Sequence, residues 1–235
     1  MGIDEPVKTP PEAWERHAGK ASSSGAFVPA RWLAASVLGP ALAVILVVGM
    51  LRASGAKWGF VFADPADIHD YSVLTGFFGY VGILFLTGSA AVSVFAWALL
   101  RRADSPERGA AAALVLAGAL SLVLAVDDLF LLHEGMLRDA FGVPEGLIFA
   151  VYGLVWLVIV GRIGRAVFSR RYAALWLSAA LLCGMVLADA VERVIGTPGP
   201  LLLAEETAKL CGFVTWSAFW MAYAFAAARG LAGGR

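Results

Sequence analysis

Six long apolar stretches alternate with short polar ones along the chain, near residues 31–52, 71–100, 109–136, 144–168, 172–195 and 202–228. At about 1.5 Å of rise per residue, each can cross the roughly 30 Å hydrocarbon layer of a bilayer as an α-helix. Open strands would leave backbone N–H and C=O groups unpaired in lipid, so the pattern predicts helices throughout. Residues 1–26 differ: Pro10, Pro11, Ser22 to Ser24 and charges of both signs leave too few apolar side chains to build a core. The expected fold is all-α, an integral membrane bundle of six transmembrane helices over residues 31–228. A flexible polar tail over 1–30 precedes it and a short tail over 229–235 follows. A long polar stretch ahead of a full-length span is unlike a cleavable leader, so the first helix is expected to be retained.

Composition changes the solvent but not the pattern. With 60% hydrophobic and 15% charged residues and a mean hydropathy of +0.78, the lipid bilayer is the expected partner of most of the surface. Lys plus Arg equals Asp plus Glu at 18 each, so no basic excess exists to track a nucleic acid. Cys183 and Cys211 lie inside apolar runs without paired spacing and read as small buried packing residues. Gly76, Gly79 and Gly82 near helix two, and Ala110 to Ala113 with Ala117 and Gly118 in helix three, predict close helix packing.

Charge sets an expected orientation. Arg101, Arg102 and Arg108 cluster in one link, Arg162, Arg165, Arg170 and Arg171 in another, and Lys20 and Arg31 lead the first helix. The alternate links hold fewer positive charges, and residues 53–70 are acidic through Asp64, Asp67 and Asp70. Positive-inside bias then places both termini in the cytoplasm of a bacterial inner membrane.

The candidate chemistry lies in ionisable residues within the spans. Asp127, Asp128, His133 and Glu134 fall on helix three, Asp189, Glu192 and Arg193 on helix five, and Glu205, Glu206 and Lys209 on helix six. His69 and Asp70 stand at the outer start of helix two. A charge in hydrocarbon costs several kcal/mol unless paired or hydrated, so such residues mark functional sites. The orientation puts all three sets in the outer half of the bilayer, at depths of about 13, 9 and 6 Å for Asp127, Asp189 and Glu205. At about 100° per residue, Asp127 and Glu134 face one way on helix three, with Asp128 and His133 on either side.

Seven of these carboxylates face two cations, Arg193 and Lys209, an excess of about five negative charges. Protonation or an added cation must offset it. The expected cofactor is a divalent metal, iron, manganese or zinc, held by some of His133, Glu134, Asp127, Asp128, Asp189, Glu192, Glu205, Glu206, His69 and Asp70. Glu134, Asp128 and Glu192 are the candidate catalytic groups, as ligands or general base. The enzyme would hydrolyse a lipid-like or small substrate, or activate oxygen. Two alternatives stay open: a proton or cation pathway, and a structural salt-bridge cluster in an oligomer or larger membrane complex. The nearly apolar inner halves of helices three, five and six favour a local site over a through-path. Repeated Glu-x-x-His, His-Glu-x-x-His, a phosphate-binding glycine loop and Gly-x-Ser-x-Gly are all missing from the sequence.

The outer end of helix three, Asp127-Asp128-Leu-Phe-Leu-Leu-His133-Glu134, together with Glu205-Glu206, resembles a pattern in uncharacterised bacterial multi-span membrane proteins. That pattern reads Asp-Glu, four residues, His-Glu, then a later Glu-Glu; Asp128 stands here where it has Glu. The resemblance implies a similar number of spans and brings no activity with it. Intramembrane CAAX-type proteases also combine Glu-Glu with histidines, but in the reverse order, so their activity is not transferred.

Overall fold

The computed structural model describes residues 28–55, 76–102, 108–133, 137–195 and 200–233, and the regular elements among them are all helical. In chain order these are α1 (Ala30–Ala53), α2 (Phe77–Arg102), α3 (Arg108–Phe130), the short α4 (Leu137–Phe141) and α5 (Glu145–Ile163). Two 3-10 turns, Gly164–Phe168 and Arg170–Tyr172, lead into α6 (Ala173–Ile195), and α7 (Pro200–Gly233) closes the chain. Six of these helices are long and apolar enough to cross a membrane, as the hydrophobic pattern predicts. Their outward faces carry large apolar side chains, among them Leu84, Phe95, Leu154 and Val194. A water-soluble bundle would turn polar residues outward, so this surface points to a multi-pass membrane protein.

α7 is the hub: 67% of its span is buried, against 11% for that of α5. It packs against α6, α2 and α1, while α3 packs between α2 and α5. Lipid tails are as apolar as leucine, so close van der Waals fit holds such helices together. Small residues supply that fit. A Cβ on Gly212 of α7 would come within 2.7 Å of Leu182 on α6, and one on Gly118 of α3 within 3.2 Å of the Ala90 carbonyl oxygen of α2. Gly82, Ala113, Ala117 and Gly118 are buried at helix contacts as expected, but Gly76, at φ +67, instead sits in the turn that opens α2. Down the middle of α7 run Trp216, Phe219, Trp220 and Tyr223, with Trp220 edge to face against the other three at 5.1 to 5.5 Å between ring centres. Cys211 is buried and its thiol donates to the Val37 carbonyl of α1 at 3.3 Å. Cys183 departs from its expected burial: it is exposed on α6.

Contacts fix the relative directions of the helices. α2 and α7 run parallel, Gly82 lying against Phe213 and Gly88 against Met221. α1, α3 and α6 run antiparallel to α7, through Ser36 and Thr215, Ser121 and Trp216, and Leu182 and Gly212. The acids of α3, α6 and α7 therefore meet at one end of the bundle and the arginines of the links at the other.

One helix end differs from expectation with consequences for the site. α3 stops at Phe130, not near Gly135, because Leu131 adopts a left-handed conformation, φ 48. Glycine usually fills such a helix-ending position; a branched residue pays about 1–2 kcal/mol there. The Asp127 carboxylate offsets this by accepting the His133 backbone N–H at 2.9 Å, which folds the chain back over the helix end.

Candidate functional site

The acidic end resolves into three polar groups, not one cluster. In the first, Lys209 of α7 lies between two carboxylates, its Nζ 3.0 Å from Glu206 Oε1 one turn earlier and 3.4 Å from Asp128 Oδ1 on α3. Glu206 is buried and Lys209 and Asp128 nearly so. Phe78, Gly79 and Gly82 of α2, with Leu210 and Phe213 of α7, wall the crevice they occupy, which is too narrow for a water molecule. Gly79 borders the site: a Cβ there would stand 4.0 Å from Asp128 Oδ2, in ordinary van der Waals contact.

The second group is built on the break in α3. Asp127, buried at 3% exposure, accepts the His133 backbone N–H through Oδ1, and its Oδ2 lies 2.9 Å from His133 Nδ1, off the line of the ring N–H. The Tyr152 side chain of α5 lies near Asp127, and the imidazole packs on Phe149 at 5.3 Å. A carboxylate in the last turn of a helix opposes the helix dipole, and the His133 backbone N–H helps make Asp127 tolerable there. With α3 ended at Phe130, the helical-wheel placement of His133 a quarter turn from Asp127 fails; the two are in direct contact.

The third group ties α6 to α5. Arg193 donates to both oxygens of Asp189, at 3.1 and 2.7 Å, and forms a second ion pair with Glu145. Glu145 is buried in the first turn of α5, where the helix dipole favours a negative charge. Glu205 lies within electrostatic reach of Glu206, Asp189, Lys209 and Glu192, and so sits between the first and third groups. One oxygen of Glu192, Oε2, is buried without a hydrogen-bond partner among the described residues.

The sequence-predicted residues are thus partly reunited. Asp128 meets Glu206, Asp127 meets His133, and Asp189 and Glu192 approach Glu205. Glu134, His69 and Asp70 lie outside the described residues. Among the described residues no three His, Cys, Asp or Glu side chains converge as metal ligands. The seven candidate ligands that are described therefore form no such group among the described residues. Lys209 and Arg193 each hold two carboxylates, and the Asp127 carboxylate is turned onto the His133 backbone and ring. Sequence inspection missed Glu145 and Tyr152. Glu145 follows Pro144 at a helix start and reads as a capping residue, and a lone phenol in an apolar span carries no signal.

Further polar groups lie deeper in the core of the bundle. Trp216 donates from Nε1 to Ser121 Oγ at 2.8 Å, and Ser121 donates to the Ala117 carbonyl at 2.8 Å. Ser89 and Ser93 of α2 and Ser217 and Trp220 of α7 are fully buried, and their polar atoms have no partner among the described residues. The core beyond the acidic end is thus less apolar than the sequence of single helices indicates.

Six helices long and apolar enough to span a membrane, with charged side chains paired at one end of the bundle, suggest a multi-pass membrane protein with a polar site at that end. Residues 37–223 match a family model described as a domain of unknown function, DUF8692, and the chain belongs to that family. The matched region contains every polar group described above. No curated protein and no solved structure matches the chain.

Proposed function

We propose that the protein handles protons or small cations across a bacterial inner membrane, with the Asp128–Lys209–Glu206 group as the exchange site and both termini in the cytoplasm. The orientation is supported by the arginines at the far end of the bundle, Arg101, Arg102, Arg162, Arg165, Arg170 and Arg171. The function is carried by one observation: a single ammonium shared by two carboxylates inside a three-helix crevice. The group is formally one charge negative, so either carboxylate can take up one more proton, which releases that arm of the lysine; a small cation enters only as the lysine arm withdraws. Intramembrane ionisable residues commonly serve such relays. The buried hydroxyls and indole N–H of Ser121, Ser89, Ser93, Ser217 and Trp220 offer polar contacts deeper in the bundle.

Proteoliposomes with a pH-sensitive dye inside test this under an imposed sodium or potassium gradient. Wild-type protein is expected to change the internal pH at least about tenfold faster than Asp128→Asn, which keeps the side-chain shape and removes the charge. Equal rates for the two proteins, both matching empty vesicles, would sink the proposal.

The Asp127–His133 contact favours a second function, a metal-dependent membrane enzyme acting on a lipid-like substrate. Asp127 Oδ2 stands 2.9 Å from Nδ1, and a turn of the ring that aligned the N–H with it would leave the lone pair on Nε2, the arrangement common in metal-holding histidines. Glu134, next in sequence, would supply a ligand or general base, with iron, manganese or zinc as the ion. Elemental analysis after metal-replete purification should find stoichiometric metal that a His133→Ala/Glu134→Ala variant loses. Absence of metal from the wild type would rule this function out.

A further inference from the structure

At the opposite end of the bundle, α1 and α7 diverge around a groove of about 400 Å³ lined by Val28, Trp32, Ala35, Val214, Ala218 and Ala222. Its lining is mostly apolar. Ser36, the hydroxyl in its wall, already donates to the Leu33 carbonyl at 2.9 Å and lies 3.2 Å from Thr215 Oγ1. Ala218 and Ala222 are one turn apart on α7, and Ala35 faces them from α1, so the groove exists because three side chains end at Cβ.

The rim has the opposite character. Trp32 is 60% exposed and Arg31, beside it, has its guanidinium 6.0 Å from the indole centre. Arg229 is seven residues beyond Ala222, two turns further along the same face of α7, and its guanidinium lies 4.3 Å over Phe225. Because α1 is antiparallel to α7, both arginines lie toward the same end of the bundle, flanking the groove on its two helices. Neither pairs with a carboxylate among the described residues.

We infer that this groove binds one anionic phospholipid, an acyl chain lying along Ala35, Ala218 and Ala222 and the phosphate meeting Arg31 and Arg229. A mostly apolar trough flanked by two cations and an interfacial tryptophan matches both parts of such a molecule. A packing helix would fill the trough but leave the two guanidinium groups without an anion, which is why a lipid is the better occupant. The site lies at the end of the bundle away from the acids and does not depend on the exchange function.

The delipidated full chain, titrated in detergent with phosphatidylglycerol or with phosphatidylcholine of the same acyl chains and read by native mass spectrometry, tests the inference. The wild type should hold one phosphatidylglycerol about twenty-fivefold more tightly than phosphatidylcholine, roughly fivefold for each arginine near the headgroup. Arg31→Gln with Arg229→Gln should bring the two lipids to equal affinity. Ala218→Trp should weaken both about tenfold or more by filling the trough, and Ala222→Leu does the same with a smaller side chain should the tryptophan disturb folding. Equal wild-type affinity for the two lipids would overturn the inference, as would phosphatidylglycerol binding unchanged in both filled variants. A wild-type dimer that Ala218→Trp dissociates would assign the groove to a second copy of the chain and equally overturn it.

Discussion

Lys209→Met is expected to destabilise the folded bundle by about 3–5 kcal/mol, the cost of removing one partner from a buried ion pair. The substitution keeps an unbranched side chain of similar length and good helix propensity, so the loss comes from charge. Glu206 and Asp128 would remain in the α2–α3–α7 crevice, which has no room for water to replace the ammonium. The measurement is the unfolding free energy in mixed micelles. Lys209→Met/Asp128→Asn/Glu206→Gln should recover most of the loss, since neutral amides need no counter-charge. A loss below about 1 kcal/mol for the single variant would put these pairs in the class of solvent-exposed ion pairs and contradict the buried site. Arg193 has no comparable expectation, because it is half exposed where it meets Asp189 and Glu145.

Trp220→Ala should be comparably damaging, for a different reason. The indole is fully buried and makes edge-to-face contacts with Trp216, Phe219 and Tyr223 at 5.5, 5.1 and 5.4 Å. In a membrane the unfolded reference also sits in lipid, so transfer from water contributes little and packing carries the loss. Cavity formation at about 24 cal/mol per Å³ still leaves roughly 3 kcal/mol for a truncated indole. Trp220→Phe should cost below about 1.5 kcal/mol, because it keeps much of the ring and removes an N–H with no partner among the described residues. Thermal midpoints of the two variants in the same detergent separate these effects. A Trp220→Phe loss as large as that of Trp220→Ala would mean that the indole N–H has a partner, such as a bound water among the buried hydroxyls.

The family match covers α1 to α7 and attaches no activity to them, so the chemical inference rests on the side chains. Here sequence and structure part at identifiable residues. Lys209 and Glu206, three apart on one helix, are neighbours by periodicity alone, and so are Arg193 and Asp189, four apart. The third members, Asp128 and Glu145, come from other helices, and only packing selects them. Asp127 and His133 form a contact that uninterrupted helical geometry forbids; it exists because Leu131 turns left-handed. The count of seven acids against two cations was legible, but not their division among separate partners. Hence one metal-filled pocket was the natural expectation, and paired groups are what the described residues show.

Helix number, approximate span boundaries and the gathering of acids near one end follow from local properties of the chain. Length, hydropathy and backbone hydrogen bonding in lipid admit few alternatives, and each acts on one segment at a time. Which helix stands at the centre, which carboxylate meets which cation, and where α1 and α7 leave a groove were decided by tertiary packing. Those outcomes depend on whether two surfaces fit within an ångström or so, as at Gly212 against Leu182 and Gly118 against Ala90. Such complementarity is a property of pairs of helices, and no single helix carries it.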